Sequence, residues 1–291
     1  MRQPKIVGVV NLTEDSFSDG GRYLEPRSAV AHARRLRQDG ADVIDLGAAS
    51  SHPDACKVSA AEEIERLQPV LTPLLQDGAV LSVDSYRGET QRFALAQGVS
   101  YLNDIQGFAD PALYPDLAGA KCRLIVMHSV QREGGATRGP SDALESVGSG
   151  VSARERTPES IVVRIDSFFD QRIDSLTRAG IVRDRIVLDP GLGFFLGDAP
   201  ELSIRVLQSI EHFHQRWGCP ILISASRKSF LGAITERAVA DRGSATLAAE
   251  LHAARQGASY IRTHDVRALR DGLRVQAQLE GYEGHEGRER R

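Results

Sequence analysis

Cysteine is scarce in this chain. Cys56, Cys122 and Cys219 are the only three among 291 residues, widely separated and without Cys-x-x-Cys spacing. That argues against a disulfide framework and against a cysteine zinc site, and fits a reducing compartment. Excess positive charge is missing as well. A formal net charge of −3 gives no overall field to draw in nucleic acid or an anionic membrane, so any phosphate chemistry has to come from local groups. No apolar run approaches the ~20 residues that a membrane-crossing helix needs, and no secretory leader precedes the first apolar run at Ile6. The expectation left by these absences is a cytoplasmic protein acting on small molecules, with no nucleic-acid or membrane partner.

What is present is a rhythm. With 41% hydrophobic and 26% charged residues, the chain can bury one large α/β core or two smaller ones. Short β-branched runs at 6–10, 42–46, 80–83, 100–102, 123–127, 185–188, 220–224 and 259–261 are mostly apolar, as strands covered on both faces are. Each leads through a polar loop into a stretch of helical period, at 26–39, 59–76, 88–97, 111–119, 158–179, 201–216, 244–256 and 266–280. Pro26 and Pro158 sit near first-turn positions, Thr157 and Ser59 can cap, and Glu62 completes a capping box with Ser59. Gly40, Gly98, Gly180 and Gly257 then stop four helices ahead of the next strand. Eight βα units predict a (β/α)₈ TIM barrel, a single domain over residues 1–280, with a doubly wound open sheet as the alternative. Residues 281–291 read as a frayed tail, and the Gly- and Ser-rich segment between His128 and Thr157 as a long mobile loop after the fifth strand.

In such a barrel, ligands bind at the C-terminal ends of the strands. The residues found there are Asn11, Asp84, Asn103, Met127-His128, Asp189, the run Ser226-Arg227-Lys228, and Arg262 with His264. Asp84, Asn103 and Asp189 suit the amino-pyrimidinone edge of a planar heterocycle, the carboxylates accepting from N–H groups and the amide both donating and accepting. Lys228 can donate to a ring carbonyl or nitrogen. Arg262, His264 and Asn11 come from strands eight and one, neighbours in a closed barrel, and form a plausible seat for a diphosphate bridged by Mg²⁺. Any one of these residues alone reads as a turn or a cap. Their recurrence at the same end of strand after strand is what independent turn residues have no reason to produce.

The motifs "GVVNLTEDSFSDGG", "SVDSYR", "YLNDIQGF", "VMH", "VLDPGLGF", "SASRKSFLG" and "IRTHDV", in this order and spacing, closely resemble dihydropteroate synthase of the folate pathway over residues 5 to 266. The resemblance implies a transferase that joins 6-hydroxymethyl-7,8-dihydropterin diphosphate to p-aminobenzoate, releasing pyrophosphate, in a family that is usually homodimeric. It implies that Asp84, Asn103, Asp189 and Lys228 hold the pterin, with Met127 and Phe194 lining it. Asn11, Arg262 and His264 would hold diphosphate, Asn11 also meeting Mg²⁺, while Ser226 and Arg227 border the aminobenzoate. Phe17 and Asp19, on the first loop, are the lid residues it points to near the reacting carbon, where Lys228 and Arg262 complete the catalytic set.

Three stretches depart from the family pattern. Glu14 stands where a proline is usual, the second loop reads Ser50-Ser51-His52-Pro53-Asp54 where Ser-Thr-Arg-Pro-Gly is usual, and Gly193-Phe194-Phe195-Leu196 replaces Gly-Phe-Gly-Lys. An always-charged arginine thus becomes a histidine mostly neutral at pH 7. The changes gather around the aminobenzoate, where Ser51, His52 and Phe195 join Ser226 and Arg227, and leave the pterin set intact. This pattern resembles the mobile sulfonamide-insensitive dihydropteroate synthases. Two other readings stand beside it: a corrinoid-linked methyltetrahydrofolate methyltransferase, which shares the pterin barrel but has no leaving diphosphate, and a non-catalytic pterin-binding homologue.

Overall fold

The structure, a computed structural model, describes residues 3–13, 25–49, 58–129, 131–132, 135–136, 157–197 and 199–286. Eight parallel strands follow one another around a barrel: β1 (Lys5–Asn11), β2 (Val43–Gly47), β3 (Leu81–Asp84), β4 (Tyr101–Asp104), β5 (Arg123–Met127), β6 (Ile186–Asp189), β7 (Leu222–Ile223) and β8 (Tyr260–Thr263). Strands β1 to β6 pair in chain order, and β8 pairs with both β1 and β7. A parallel bridge between Leu188 and Ile221 joins β6 to the residue before β7 and closes the ring. The open-sheet alternative is thereby set aside.

The pleat sorts the side chains into two shells, because alternate residues of a strand face opposite sides of the sheet. One set, Ile6, Ile44, Leu46, Leu81, Val83, Leu102, Leu124, Val126, Ile186, Leu188, Ile223 and Ile261, packs outward in one large cluster with the helices. The other set forms the barrel floor: Val7, Val43, Tyr101, Ile125, Val187, Leu222 and Tyr260, all buried and in mutual contact. Tyr101 and Tyr260 meet edge to face across it, with hydroxyl oxygens 3.3 Å apart. Two residues further along the same inward rows stand Val9, Asp45, Asn103, Met127, Asp189, Ser224 and Arg262. The floor is therefore aliphatic and aromatic, and the tier directly above it is mostly polar.

The helices are α1 (Pro26–Gln38), α2 (Ala60–Gln76), α3 (Gly88–Ala96), α4 (Tyr114–Gly119), α5 (Pro158–Arg178), α6 (Pro200–Gln208), α7 (Ile210–Trp217), α8 (Ser229–Thr235), α9 (Gly243–Arg255) and α10 (Val266–Glu286). The Ser59–Glu62 capping box forms in both directions, at 3.2 and 2.7 Å, and Thr157 Oγ1 accepts the Ser160 amide. Gly40, Gly98, Gly180 and Gly257 all take positive φ at the helix ends. Helix α5 buries Ile161, Ile165, Phe169, Ile173 and Leu176 along one stripe.

Differences from the sequence reading have local causes. The helix expected over 201–216 is two helices, broken at Ser209, whose hydroxyl bonds back to the Arg205 carbonyl at 2.8 Å. Helix α8 was not expected at all: it is seven residues long, contains Gly232 and starts inside a charged motif. Helix α10 continues to Glu286, beyond the expected end at 280. Within the segment read as a loop, Gln131–Arg132 pairs antiparallel with Gly135–Ala136, while 130, 133–134 and 137–156 lie outside the described residues. No helix among the described residues is long and apolar enough to cross a membrane.

The two shells make a stability prediction. Ile125 is 1% exposed on the floor and Val163 is 63% exposed on α5. Ile125→Ala should lower unfolding free energy by about 2–5 kcal/mol, whereas Val163→Ala should stay within about 0.5 kcal/mol, as read from urea denaturation.

Candidate active site

Strands β1, β3, β4, β6 and β8 end one or two residues later than their apolar runs, and the added residues are the polar ones: Asn11, Asp84, Asn103-Asp104, Asp189 and Arg262-Thr263. Being inside the ladder fixes their backbones, so these side chains are aimed by hydrogen-bonded strands and not by loops. Asn11, Asp84, Asn103, Asp189 and Arg262 border a cavity of about 440 Å³ at the C-terminal mouth of the barrel, together with Met127, Phe194, Phe195, Ser226, Arg227, Lys228 and His264.

Arg262 organises the floor of this cavity. Its Nε donates to Asp45 Oδ2 at 2.6 Å and its Nη2 to Asp84 Oδ2 at 3.0 Å, a fork that spans from β8 to β2 and β3. Asp45 has no exposed surface, and its Oδ2 also takes a long contact from Asn103 Nδ2 at 3.4 Å. The Asn103 Oδ1 and the Asp45 Oδ1 are buried without a hydrogen-bond partner among the described residues. Asp189 Oδ1 accepts the Gly191 N–H at 2.8 Å. Gly191 takes φ +73°, and a Cβ there would fall onto the His128 carbonyl oxygen, so only glycine permits this turn.

Burial sets the protonation pattern. It pushes Asp84 up to about 7, helped by the charge of Asp45 and opposed by Arg262. Asp189 rises to about 6 for the same first reason, against the Gly191 N–H and the charges of Lys228 and Arg262. Lys228 falls to about 8 through burial and the nearby Arg262, with Asp189 and Asp84 resisting. Burial works against the charge on Arg262, and Asp45 and Asp84 outweigh it. His264 is held well below the ordinary histidine range by burial and by the cations Arg227, Arg262 and Lys228, so it is neutral at pH 7.

The wall above the floor is aromatic on one side. Lys228 Nζ lies 4.2 Å from the Phe195 ring centre and 5.7 Å from that of Phe194, and the two rings are 4.4 Å apart. Opposite them, Ser226 Oγ is 2.9 Å from His264 Nδ1 and accepts the His264 backbone N–H at 3.2 Å.

The structure therefore brings together Asn11, Asp84, Asn103, Met127, Asp189, Phe194, Phe195, Ser226, Arg227, Lys228, Arg262 and His264 around one cavity. Arg262, expected beside the diphosphate, spends two of its nitrogens on floor carboxylates, and His264, expected with it, pairs with Ser226 of the aminobenzoate set. Phe17, Asp19, Ser51 and His52 lie outside the described residues. Sequence reasoning missed Asp45 and Arg242. Asp45 had a signal: an acid at the inward position two residues after Val43, in a run otherwise apolar.

The family described as pterin binding enzyme matches residues 7–264. Over 274 residues the chain is 55% identical to dihydropteroate synthase type-2 of Escherichia coli, covering 94% of this chain and 95% of that one. The chain belongs to the dihydropteroate synthase family. Solved members share its fold: a dihydropteroate synthase of Xanthomonas albilineans with 4-aminobenzoic acid superposes with a TM-score of 0.80 at 32% identity, covering 96% of this chain and 94% of that one. One from Anaplasma phagocytophilum with bound 6-hydroxymethylpterin-monophosphate gives 0.81 at 32% identity, covering 96% and 100%. Dihydropteroate synthases are transferases, and this relationship along nearly the whole chain sets the methyltransferase alternative aside.

The buried fork predicts its own weak point. Asp45→Ala leaves Arg262 with one carboxylate in a dry floor and should lower stability by about 3 kcal/mol, since removing one partner of a buried ion pair uncovers the other charge. Urea denaturation checks the value; a loss below about 1 kcal/mol would mean that Asp84 alone suffices for Arg262.

Proposed function

We propose that this chain condenses 6-hydroxymethyl-7,8-dihydropterin diphosphate with p-aminobenzoate to give 7,8-dihydropteroate and pyrophosphate. The observation that carries the reading is the floor itself: two carboxylates, a lysine, and an asparagine whose buried Oδ1 lacks a partner among the described residues. A pterin edge offers the complementary set, N–H donors for Asp189 and Asp84, a donor for Asn103 Oδ1, and a ring carbonyl or nitrogen for Lys228. Asp84 and Lys228 flank the heterocycle from opposite walls, and Met127 and Phe194 supply apolar contact to its faces.

In the reaction the aryl amine forms a C–N bond to the pterin methylene as the C–O bond to diphosphate breaks. The bonding pair leaves on the diphosphate, and the amine loses one proton. Dry floor groups, Lys228 among them, hold the pterin, Arg262 and neutral His264 with Asn11 meet the departing diphosphate, and Ser226 with Arg227 orients the aminobenzoate. Water has to be kept out, because it competes with the amine for the same carbon. Phe17 and Asp19 of the first loop, with Ser51 and His52 of the second, are the residues the family pattern puts forward for closing that side.

Magnesium fits here as a companion of the substrate. Hard Mg²⁺ takes oxygen ligands and keeps several waters. The Asn11 side-chain oxygen at the end of β1, beside the side-chain-free Gly47, is a suitable single protein ligand. Among the described residues no group of three acids, histidines or cysteines could hold a metal alone. When bound, the ion would neutralise charge on the leaving diphosphate.

The same reading extends to drug response. The paired rings of Phe194 and Phe195 beside Lys228 narrow the aminobenzoate side, which favours p-aminobenzoate over a sulfonamide with a bulky substituent. A homodimer in the cytoplasm is the assembly and location that the family suggests.

Purified protein given both substrates and Mg²⁺ should release pyrophosphate and form dihydropteroate, and Asn103→Ala should lower kcat/KM by about a hundredfold. Pterin affinity should weaken in acid. Asp189 and Asp84 accept from the pterin only when ionised, so below about pH 6 the Kd should rise about tenfold per pH unit for each carboxylate required. Calorimetry between pH 5 and pH 8 reads this, and a flat profile would remove the carboxylates from pterin recognition. Sulfamethoxazole should inhibit only at concentrations well above those that inhibit an ordinary dihydropteroate synthase assayed alongside. Equal inhibition would sink the insensitivity reading while leaving the synthase reading intact.

A further inference from the structure

Arg227 takes a backbone conformation that a residue with a side chain disfavours. Its φ is +60°, in the left-handed region, which among the described non-glycine residues is shared only by Phe108 and Glu236. Ser226 and Lys228 on either side also border the cavity, so this one turn sets the direction of three pocket side chains. A strained turn persists only where its surroundings hold it.

Helix α9 supplies the hold. Thr246 Oγ1 accepts the Arg227 N–H at 3.0 Å. Arg242, the residue before α9, donates from Nη1 to the carbonyls of Arg227 at 3.0 Å and Lys228 at 3.3 Å, and from Nε to the Arg237 carbonyl at 3.0 Å. One guanidinium thus ties the turn to the segment leading into α9. The Arg242 guanidinium lies over Gly232 of α8, where a Cβ would fall onto it. The glycine sits mid-helix, where it weakens the helix and is needed by no positive φ. Its lack of a side chain is what admits the guanidinium.

We propose that Arg242 is a positioning residue: it holds the left-handed turn at Arg227, with Gly232 as the gap that admits it, and so sets the p-aminobenzoate side of the pocket. This rests on the synthase reading given above. Charge-assisted bonds to two successive carbonyls fix the peptide between Arg227 and Lys228. Losing them lets Arg227 relax to negative φ and swings its side chain off the aminobenzoate. The pterin contacts of Asp84, Asn103 and Asp189 belong to strands β3, β4 and β6 and do not depend on this turn; Lys228 alone joins the pterin side to it.

The test compares Arg242→Ala, Gly232→Ala and the double variant. Gly232→Ala alters no residue of the cavity and adds a better helix former, so a lost fold would not explain its effect. Each single variant should raise KM for p-aminobenzoate by about tenfold, with pterin Kd, which draws on this turn only through Lys228, changed by less than about threefold. Because Gly232→Ala acts by displacing Arg242, the double variant should be no worse than Arg242→Ala alone. Amide hydrogen exchange at 226–229 should speed up in all three variants. Wild-type KM and exchange in Gly232→Ala, additive effects in the double variant, or a pterin Kd rising in step with KM would each overturn the proposal. A wild-type protein that makes no dihydropteroate would defeat the synthase reading instead, and the exchange of the turn would still decide whether Arg242 holds it.

Discussion

Three acids share the inward tier of this barrel, and one arginine makes that arrangement tolerable. Arg262 grips Asp45 and Asp84 at 2.6 and 3.0 Å, and Asp45 has no access to solvent. Without a cation there, a carboxylate in so dry a place would have to neutralise itself or pull in water. The grip runs from β8 across β1 to β2 and β3, so it forms only once the last strand has paired with the first. The geometry of the site is consequently set by strands from the two ends of the chain. Lys228, approaching from the segment after β7, balances Asp189 in the same way at longer range.

The tiers divide physical labour. Below, Tyr101, Tyr260 and the aliphatic floor exclude water, which is what pushes Asp84, Asp189 and Lys228 toward neutrality in the empty pocket. A ligand with matching donors and acceptors draws those groups back to their charged forms, so recognition and ionisation are one event. Above, neutral His264 on Ser226 and the strained turn at Arg227 border the cavity on the side that the proposed function gives to p-aminobenzoate. Under that proposal, selectivity can change there without disturbing the strand-borne carboxylates, and Phe195, one of the departures from the family pattern, borders the same cavity.

Much of this was legible in the sequence because a barrel repeats its grammar. Eight apolar runs and their following helices gave the architecture, and polar residues at successive strand ends gave the site. The misses have physical causes. Burial on both faces predicts apolar runs that end before Asp84, Asn103, Asp189 and Arg262, yet β3, β4, β6 and β8 carry their ladders through these residues. Asp45 was hidden because its counter-charge lies 217 residues away in the chain. Strand adjacency puts Arg262 beside Asn11 but does not reveal that its long side chain also reaches Asp45 and Asp84. Helix α8 and the hold of Arg242 on the turn are short-range packing, for which no periodicity exists.

The strict alternation of the strands has an evolutionary consequence. Each strand writes its structural and its chemical instruction on the same few letters, Val187 for the floor and Asp189 for the site, with Leu188 facing the helices between them. Gain or loss of a single residue within a strand would turn the rows inside out, placing a carboxylate among the helices and a leucine in the pocket. Strand length is therefore frozen in this architecture. Lineages of such a barrel diverge through substitution at fixed inward positions and through the loops that the strands deliver.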